Sequence, residues 1–172
     1  FTDEKYFDKI REIRGTSPLT LIPYSIKDLE SQDFFPKIQE IISKEEWKNQ
    51  AEWMANSVIG SKYYIPLTMV KQHLLNESMK YFSSSYYYWV DSGMFNSYNV
   101  PGEINHYYFT KIPKDNFFMT SFPYWSDSEV HGYNAKGMEY MCGEHPSYVC
   151  RATLFGGTKS QIQNMTSLFY ET

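Results

Sequence analysis

Apolar positions change their spacing several times along the chain, and each change predicts an element. Phe7, Ile10 and Ile13 recur at helical intervals until Gly15-Thr16-Ser17-Pro18 breaks the pattern. The run Leu19-Thr20-Leu21-Ile22, closed by Pro23, predicts a short strand. A polar turn and short helix follow from Ser25 to Asp33. Between Phe34 and Met54, Phe35, Ile38, Ile41, Ile42 and Trp47 return at helix-like intervals, which predicts one or two helices broken near Ser43. Pro66 suits the first turn of the next helix, where Leu67, Val70, Leu74 and Tyr81 form one apolar face with Lys71 close beside it.

From Ser85 the period changes. Tyr86-Tyr87-Tyr88-Trp89-Val90 is an unbroken run of β-formers without polar alternation, the mark of a strand covered on both faces, and it ends at Asp91-Ser92-Gly93. Phe117 to Phe122 predicts a second strand. Trp125 to Pro146 is rich in Gly, Ser, Asp, Glu and His, has little period, and is long for a plain connector, as befits a loop over a site. Tyr148 to Phe155 predicts a last strand running into Gly156-Gly157. Thr158 then reads as an N-cap with Gln161 completing a capping box, and Ile162, Met165 and Phe169 supply a buried stripe. Strands alternate with helices and no internal repeat is visible, so the expected class is α/β with a mostly parallel central sheet.

Composition narrows the partners. The 172 residues suit a single domain, and 42% hydrophobic with 21% charged residues excludes a disordered tail, a coiled coil and a collagen-like rod. A net charge of −4, from 16 Lys+Arg against 20 Asp+Glu, leaves no electrostatic footprint for nucleic acid or an anionic bilayer. No nucleic-acid partner is expected. Aromatics reach 19%, with 16 Tyr, so tyrosine is expected to carry much of the core. No apolar run approaches the ~20 residues that span a bilayer, so no transmembrane segment is expected. The opening stretch from Phe1 reads as the middle of an element, which predicts that a first element is missing. Cys142 and Cys150 are too few for a disulfide framework and favour a reducing, cytoplasmic compartment, with membrane association left open. The triplets Asn76-Glu77-Ser78 and Asn164-Met165-Thr166 keep the Golgi or ER lumen as the alternative.

Two segments carry the candidate chemistry. Asp91 follows a predicted buried strand, so a parallel sheet would deliver its carboxylate to the carboxyl edge, where open α/β sheets bind ligands; the plain alternative is a cap or turn residue. At such an edge Asp91 offers a hard oxygen to Mn²⁺ or Mg²⁺ held with substrate phosphates. Gly93 would allow close backbone approach. Phe155-Gly156-Gly157-Thr158 places free N–H groups at a capped helix start, suited to a ligand or simply to a tight turn. The two segments are expected to face one cleft. Lys71 is a candidate phosphate contact or a cation snorkelling past its helix. Tyr86, Tyr87, Tyr88 and Trp89 would stack on sugar or base, or fill the core. Asp127, Glu129, His131, Glu144 and His145 are candidates for a second ligand or a base. The four histidines show no zinc spacing.

Taken together, Tyr63-Tyr64-Ile65-Pro66 with Lys71, then Tyr88-Trp89-Val90-Asp91-Ser92-Gly93, then Leu154-Phe155-Gly156-Gly157-Thr158 resemble the HtrL/YibB family of glycosyltransferases over roughly residues 34–169. The last segment is also similar to the Phe-Gly-Gly-Thr stretch of blood-group type α-1,3-galactosyl- and N-acetylgalactosaminyltransferases. The resemblance implies a GT-A-like, Rossmann-type three-layer sandwich over residues 1–172, a single catalytic domain incomplete at both ends. It implies a hexosyltransferase using a nucleotide-sugar donor, UDP-sugar favoured, with Mn²⁺ or Mg²⁺, and a glycan or glycolipid acceptor. On that pattern Asp91 is the metal ligand; Lys71, Trp89, Val90, Asp91 and Gly93 bind the nucleotide donor; Gly156, Gly157 and Thr158 line the sugar or acceptor pocket. No catalytic residue is assigned. Trp89 stands where the first acid of the Asp-x-Asp motif would be expected. The rival readings are a non-catalytic carbohydrate-binding module on the same fold and a phosphohydrolase with Asp91 as nucleophile.

Overall fold

A capping box starts one of the first helices, and its details show how local chemistry sets this half of the chain. The computed structural model describes residues 1–50, 62–91, 111–112, 114–124, 139 and 142–171. They fall into two compact units, Phe1–Val70 and Lys71–Thr172. In the first, a 3-10 turn (Glu4–Tyr6) precedes helices α1 (Phe7–Arg14), α2 (Ile26–Glu30), α3 (Phe34–Ser43) and α4 (Glu45–Gln50), and helix α5 (Tyr64–Ser78) begins. Helix α1 stops at Gly15, whose φ of 58° favours glycine while its N–H still reaches Arg11 O. Helix α2 starts at Ser25, whose backbone N–H donates to Asp28 Oδ2 at 2.6 Å while Asp28 N–H donates to Ser25 Oγ at 3.4 Å. The Ser25 hydroxyl, which also donates to Asp28 Oδ2 at 2.6 Å, and then the Ser25 backbone N–H hold the Asp28 carboxyl below its ordinary range.

The expected helix break near Ser43 is present: Lys44 turns extended between α3 and α4. Leu29, Phe35 and Ile38 are buried, with Ile22, Pro66 and Val70. The predicted strand over Leu19-Thr20-Leu21-Ile22 does not form. Only a parallel bridge links Thr2 to Pro23, through Thr2 N–H to Ile22 O and Tyr24 N–H to Thr2 O. Prolines at 18 and 23 remove donors at both ends of a four-residue run, too little ladder to hold a strand.

The second unit holds the sheet: β1 (Tyr87–Val90), β2 (Phe118–Pro123) and β3 (Tyr148–Gly157), then helix α6 (Lys159–Glu171). The spatial order is β1-β3-β2, and both pairings are antiparallel. The expected mostly parallel central sheet is therefore corrected, and with it the GT-A-like Rossmann sandwich. The physical reason lies in tyrosine. A continuous apolar run implies cover on both faces only if its residues cannot tolerate water. In β1 the second face carries half-buried Tyr88, stacked with Tyr86 at 6.4 Å between ring centroids, and Val90 is 37% exposed.

One face of the sheet makes the core. Leu75, Tyr87, Phe155 and Ile162 are buried together, with Met79, Trp89, Phe117 and Met119 packed against them. The Tyr87 hydroxyl is satisfied locally, donating to Phe82 O at 2.7 Å. Buried Gln72 lies 3.1 Å from Thr166 Oγ1 and 3.4 Å from Ile162 O, tying α5 to α6. The capping box predicted at the start of α6 is present: Thr158 N–H donates to Gln161 Oε1 at 2.8 Å and Gln161 N–H to Thr158 Oγ1 at 3.4 Å. No helix among the described residues is long and apolar enough to cross a membrane.

Candidate functional site

Two stripes of side chains meet on the core face. In an α-helix, positions four apart share a face, so Lys71 and Leu75 lie about 6 Å apart in one row, with Met79 following just past the end of α5. In a strand, alternate positions share a face, so Tyr87, Trp89 and Asp91 form a second row of about 13 Å. Leu75 packs with Tyr87, and Lys71 with Asp91. The apolar members make core, and the charged members fall together at one end.

There Lys71 Nζ lies 2.7 Å from Asp91 Oδ2 and 3.3 Å from Ala152 O. Trp89 Nε1–H donates to the other carboxylate oxygen, Asp91 Oδ1, at 2.6 Å. That bond follows from the strand period, which sets residues 89 and 91 on one face. Asp91 N–H continues the ladder to Thr153 O at 2.8 Å. The Lys71 and Asp91 side chains are 17% and 24% exposed, so the pair is partly desolvated yet open to solvent on one side. An ammonium has three N–H donors, and two have acceptors here. Among the described residues no acceptor takes the third. Trp89 is braced from behind by Phe155, stacked at 6.3 Å with 15° between planes.

Three of the residues singled out from sequence, Lys71, Trp89 and Asp91, are thus brought together. Val90 points to the opposite face, and Gly93 lies outside the described residues. The diglycine is elsewhere. Its partners across the ladder are Tyr88 for Gly156 and Tyr87 for Gly157, whereas Asp91 meets Thr153. From Thr153 to Gly156 is three residues, about 10 Å along the strand. The expectation of one cleft shared by Asp91 and Gly156-Gly157 is corrected. In a parallel sheet both segments would end at the same edge; antiparallel pairing sends them to opposite ends of the β1–β3 ribbon.

The glycines also belong to β3 rather than to a turn. A Cβ on Gly156 would sit 2.1 Å from Tyr87 O and 2.9 Å from Tyr88 Cα, so a side chain there would push β1 away. At Gly157 the added atom would meet Gln161 Oε1 at 2.6 Å, the group that caps α6. Packing explains both glycines. Thr158 is occupied by the cap.

A second polar group lies near the start of β3. His145 Nδ1 is 2.8 Å from Glu139 Oε1, and the His145 ring is 5.9 Å from that of buried Tyr124. Burial, then the nearby Glu139 charge, pushes the Tyr124 phenol up from its ordinary value. Sequence reasoning did not single out Glu139, and no spacing rule connects it to His145. Asp127, Glu129 and His131 lie outside the described residues. Cys142 and Cys150 are free, exposed thiols.

Sequence reasoning also passed over Ala152, whose carbonyl is the second acceptor for Lys71; its residue type carries no signal, because the contact is made by backbone. Among the described residues no group of three or more His, Cys, Asp or Glu side chains gathers to hold a metal ion. Asp91 brings one carboxylate, already shared by an ammonium and an indole N–H. That is the donor set of an ammonium site. Comparison with family models, curated proteins and solved structures finds no match to this chain.

Proposed function

We propose that this protein is a glycosyltransferase that moves a hexose-type sugar from a nucleotide-sugar donor, a UDP-sugar in the first instance, to a hydroxyl of a glycan or glycolipid. The observation that carries the proposal is the convergence of Lys71, Asp91 and Trp89 at the end of β1, with one ammonium N–H lacking an acceptor among the described residues. A diphosphate is the leaving group of such a transfer. As the acceptor hydroxyl oxygen bonds to the anomeric carbon and gives up its proton to solvent, the bond from that carbon to the phosphate oxygen breaks, and its electron pair departs with the diphosphate. A positioned ammonium stabilises that charge where it develops. Asp91 and Ala152 O hold Lys71 Nζ in place before the donor arrives, which reduces the ordering cost of binding. The resemblance of the Trp89-Val90-Asp91 and Leu154 to Thr158 segments to known transferases supports the same reading.

The test is release of UDP from a panel of UDP-hexoses, with and without glycan acceptors, by the wild-type chain and by Asp91→Asn. Turnover by the wild type, reduced at least tenfold in a variant that keeps its circular dichroism spectrum, is the expected result. Equal turnover in Asp91→Asn contradicts the proposal. Glycan binding with no affinity for nucleotide would assign the chain as a carbohydrate-binding module instead.

A further inference from the structure

We infer that Lys71 takes the place of a divalent cation against the donor diphosphate, so that nucleotide binding by this chain is independent of metal. The inference rests on the transferase reading above and concerns what neutralises the phosphates. Transferases of the type this sequence resembles are expected to use Mn²⁺ or Mg²⁺, and such cations take about six oxygen ligands, drawn from one or two carboxylates, substrate phosphates and water. The residues present here do not fit that requirement. Trp89 occupies the sequence position expected to supply a first acid, and its indole N–H takes Asp91 Oδ1 at 2.6 Å. A positive charge already sits 2.7 Å from Asp91 Oδ2. A divalent cation on that oxygen would face Lys71 Nζ at close range in a partly desolvated site, where like charges repel most strongly.

What the site offers instead is a built-in cation. Asp91 Oδ2 and Ala152 O accept two of the three Lys71 N–H groups, and the side chain keeps part of its surface exposed, where a phosphate oxygen would approach the third. Asp91 is a positioning residue on this view, acting on the phosphate through Lys71.

The experiment is isothermal titration of the whole chain with UDP, first in EDTA and then in buffer containing Mn²⁺. The expected result is binding in both, with dissociation constants within twofold of each other. The double variant Lys71→Met/Asp91→Asn, which removes both charges together and leaves no unpaired ion, is expected to bind UDP at least tenfold more weakly in EDTA while retaining a cooperative thermal transition. Binding that appears only with Mn²⁺ overturns the inference and leaves the transferase reading standing. No binding of UDP under either condition overturns both. Because the wild-type comparison needs no variant, the inference stays exposed to refutation even if the double variant fails to fold.

Discussion

Replacing Gly156 by alanine tests whether the diglycine serves the sheet or a ligand. The new Cβ would lie 2.1 Å from Tyr87 O, 2.8 Å from Tyr88 Cδ1 and 2.9 Å from Tyr88 Cα. Two of those three atoms are backbone of the neighbouring strand, so no rotamer change removes the overlap. Relief requires β1 and β3 to separate by roughly 1 Å against a normal spacing near 4.8 Å, which stretches the ladder from Tyr87 to Val90. Overpacking of this kind costs about 3 kcal/mol, the upper end of its usual range. For a chain of this length that corresponds to a fall in Tm of roughly 6–12 °C. Gly157→Ala is the internal comparison, because its Cβ meets the mobile end of Gln161. Swinging that side chain away sacrifices the hydrogen bond from Thr158 N–H and costs about 1 kcal/mol, hence roughly 2–4 °C. Thermal unfolding by circular dichroism measures both. A Gly156→Ala protein that melts with the wild type, or one more stable than Gly157→Ala, would refute the packing argument and return the glycines to candidacy as ligand-binding backbone.

Three further outcomes follow from the same geometry. Thr158→Ala removes the acceptor for Gln161 N–H and is expected to lower stability by about 1 kcal/mol in denaturant titration, with no change in affinity for UDP. Burial pushes the Tyr24 phenol up to about 12 from an ordinary 10.0, and its hydroxyl has no partner among the described residues. The folded state therefore holds the phenolic proton more tightly than the unfolded chain, so this group's contribution is intact below pH 10 and is lost as pH climbs from about 10 to about 12. Tyr24→Phe should abolish that alkaline loss and leave stability at pH 7 unchanged or higher, as read by denaturant titration at the two pH values. Asp91→Asn removes the negative charge opposite the partly buried Lys71 ammonium, leaving it only neutral carbonyl acceptors, and is expected to cost about 2 kcal/mol, measured by chemical denaturation.

How far the sequence discloses this protein depends on whether a signal is local. Capping boxes are written in three-residue spacings, and the Thr158–Gln161 box is present where that spacing places it. Strands β1, β2 and β3 occur where β-formers cluster, because side-chain shape and backbone preference act within a few residues. Strand direction is a different kind of information. Tyr86 to Val90 reads the same in a parallel or an antiparallel sheet once tyrosines tolerate a half-exposed face, and the direction is decided by partners more than 50 residues away. That one ambiguity separated Asp91 from Gly156-Gly157, although each segment had been located.

Lys71 shows the opposite case. Its apolar neighbours suggested a cation beside a helix face, but the four-residue step to Leu75 and the two-residue step from Trp89 to Asp91 define the two matching rows on which the pair meets. The information was present as two periodicities, and only the packing of helix on strand revealed that their charged ends coincide. The role of Ala152 could not be legible at all, since its carbonyl is common to every residue type.

The central claim is that the ammonium at the end of β1 receives a nucleotide diphosphate. A crystal of the protein soaked with UDP in the presence of EDTA tests it most directly. The account predicts a phosphate oxygen about 3 Å from Lys71 Nζ, with Asp91 and Ala152 O still in contact with the same nitrogen. Nucleotide seated against Gly156-Gly157, or bound elsewhere with Lys71 untouched, would contradict it.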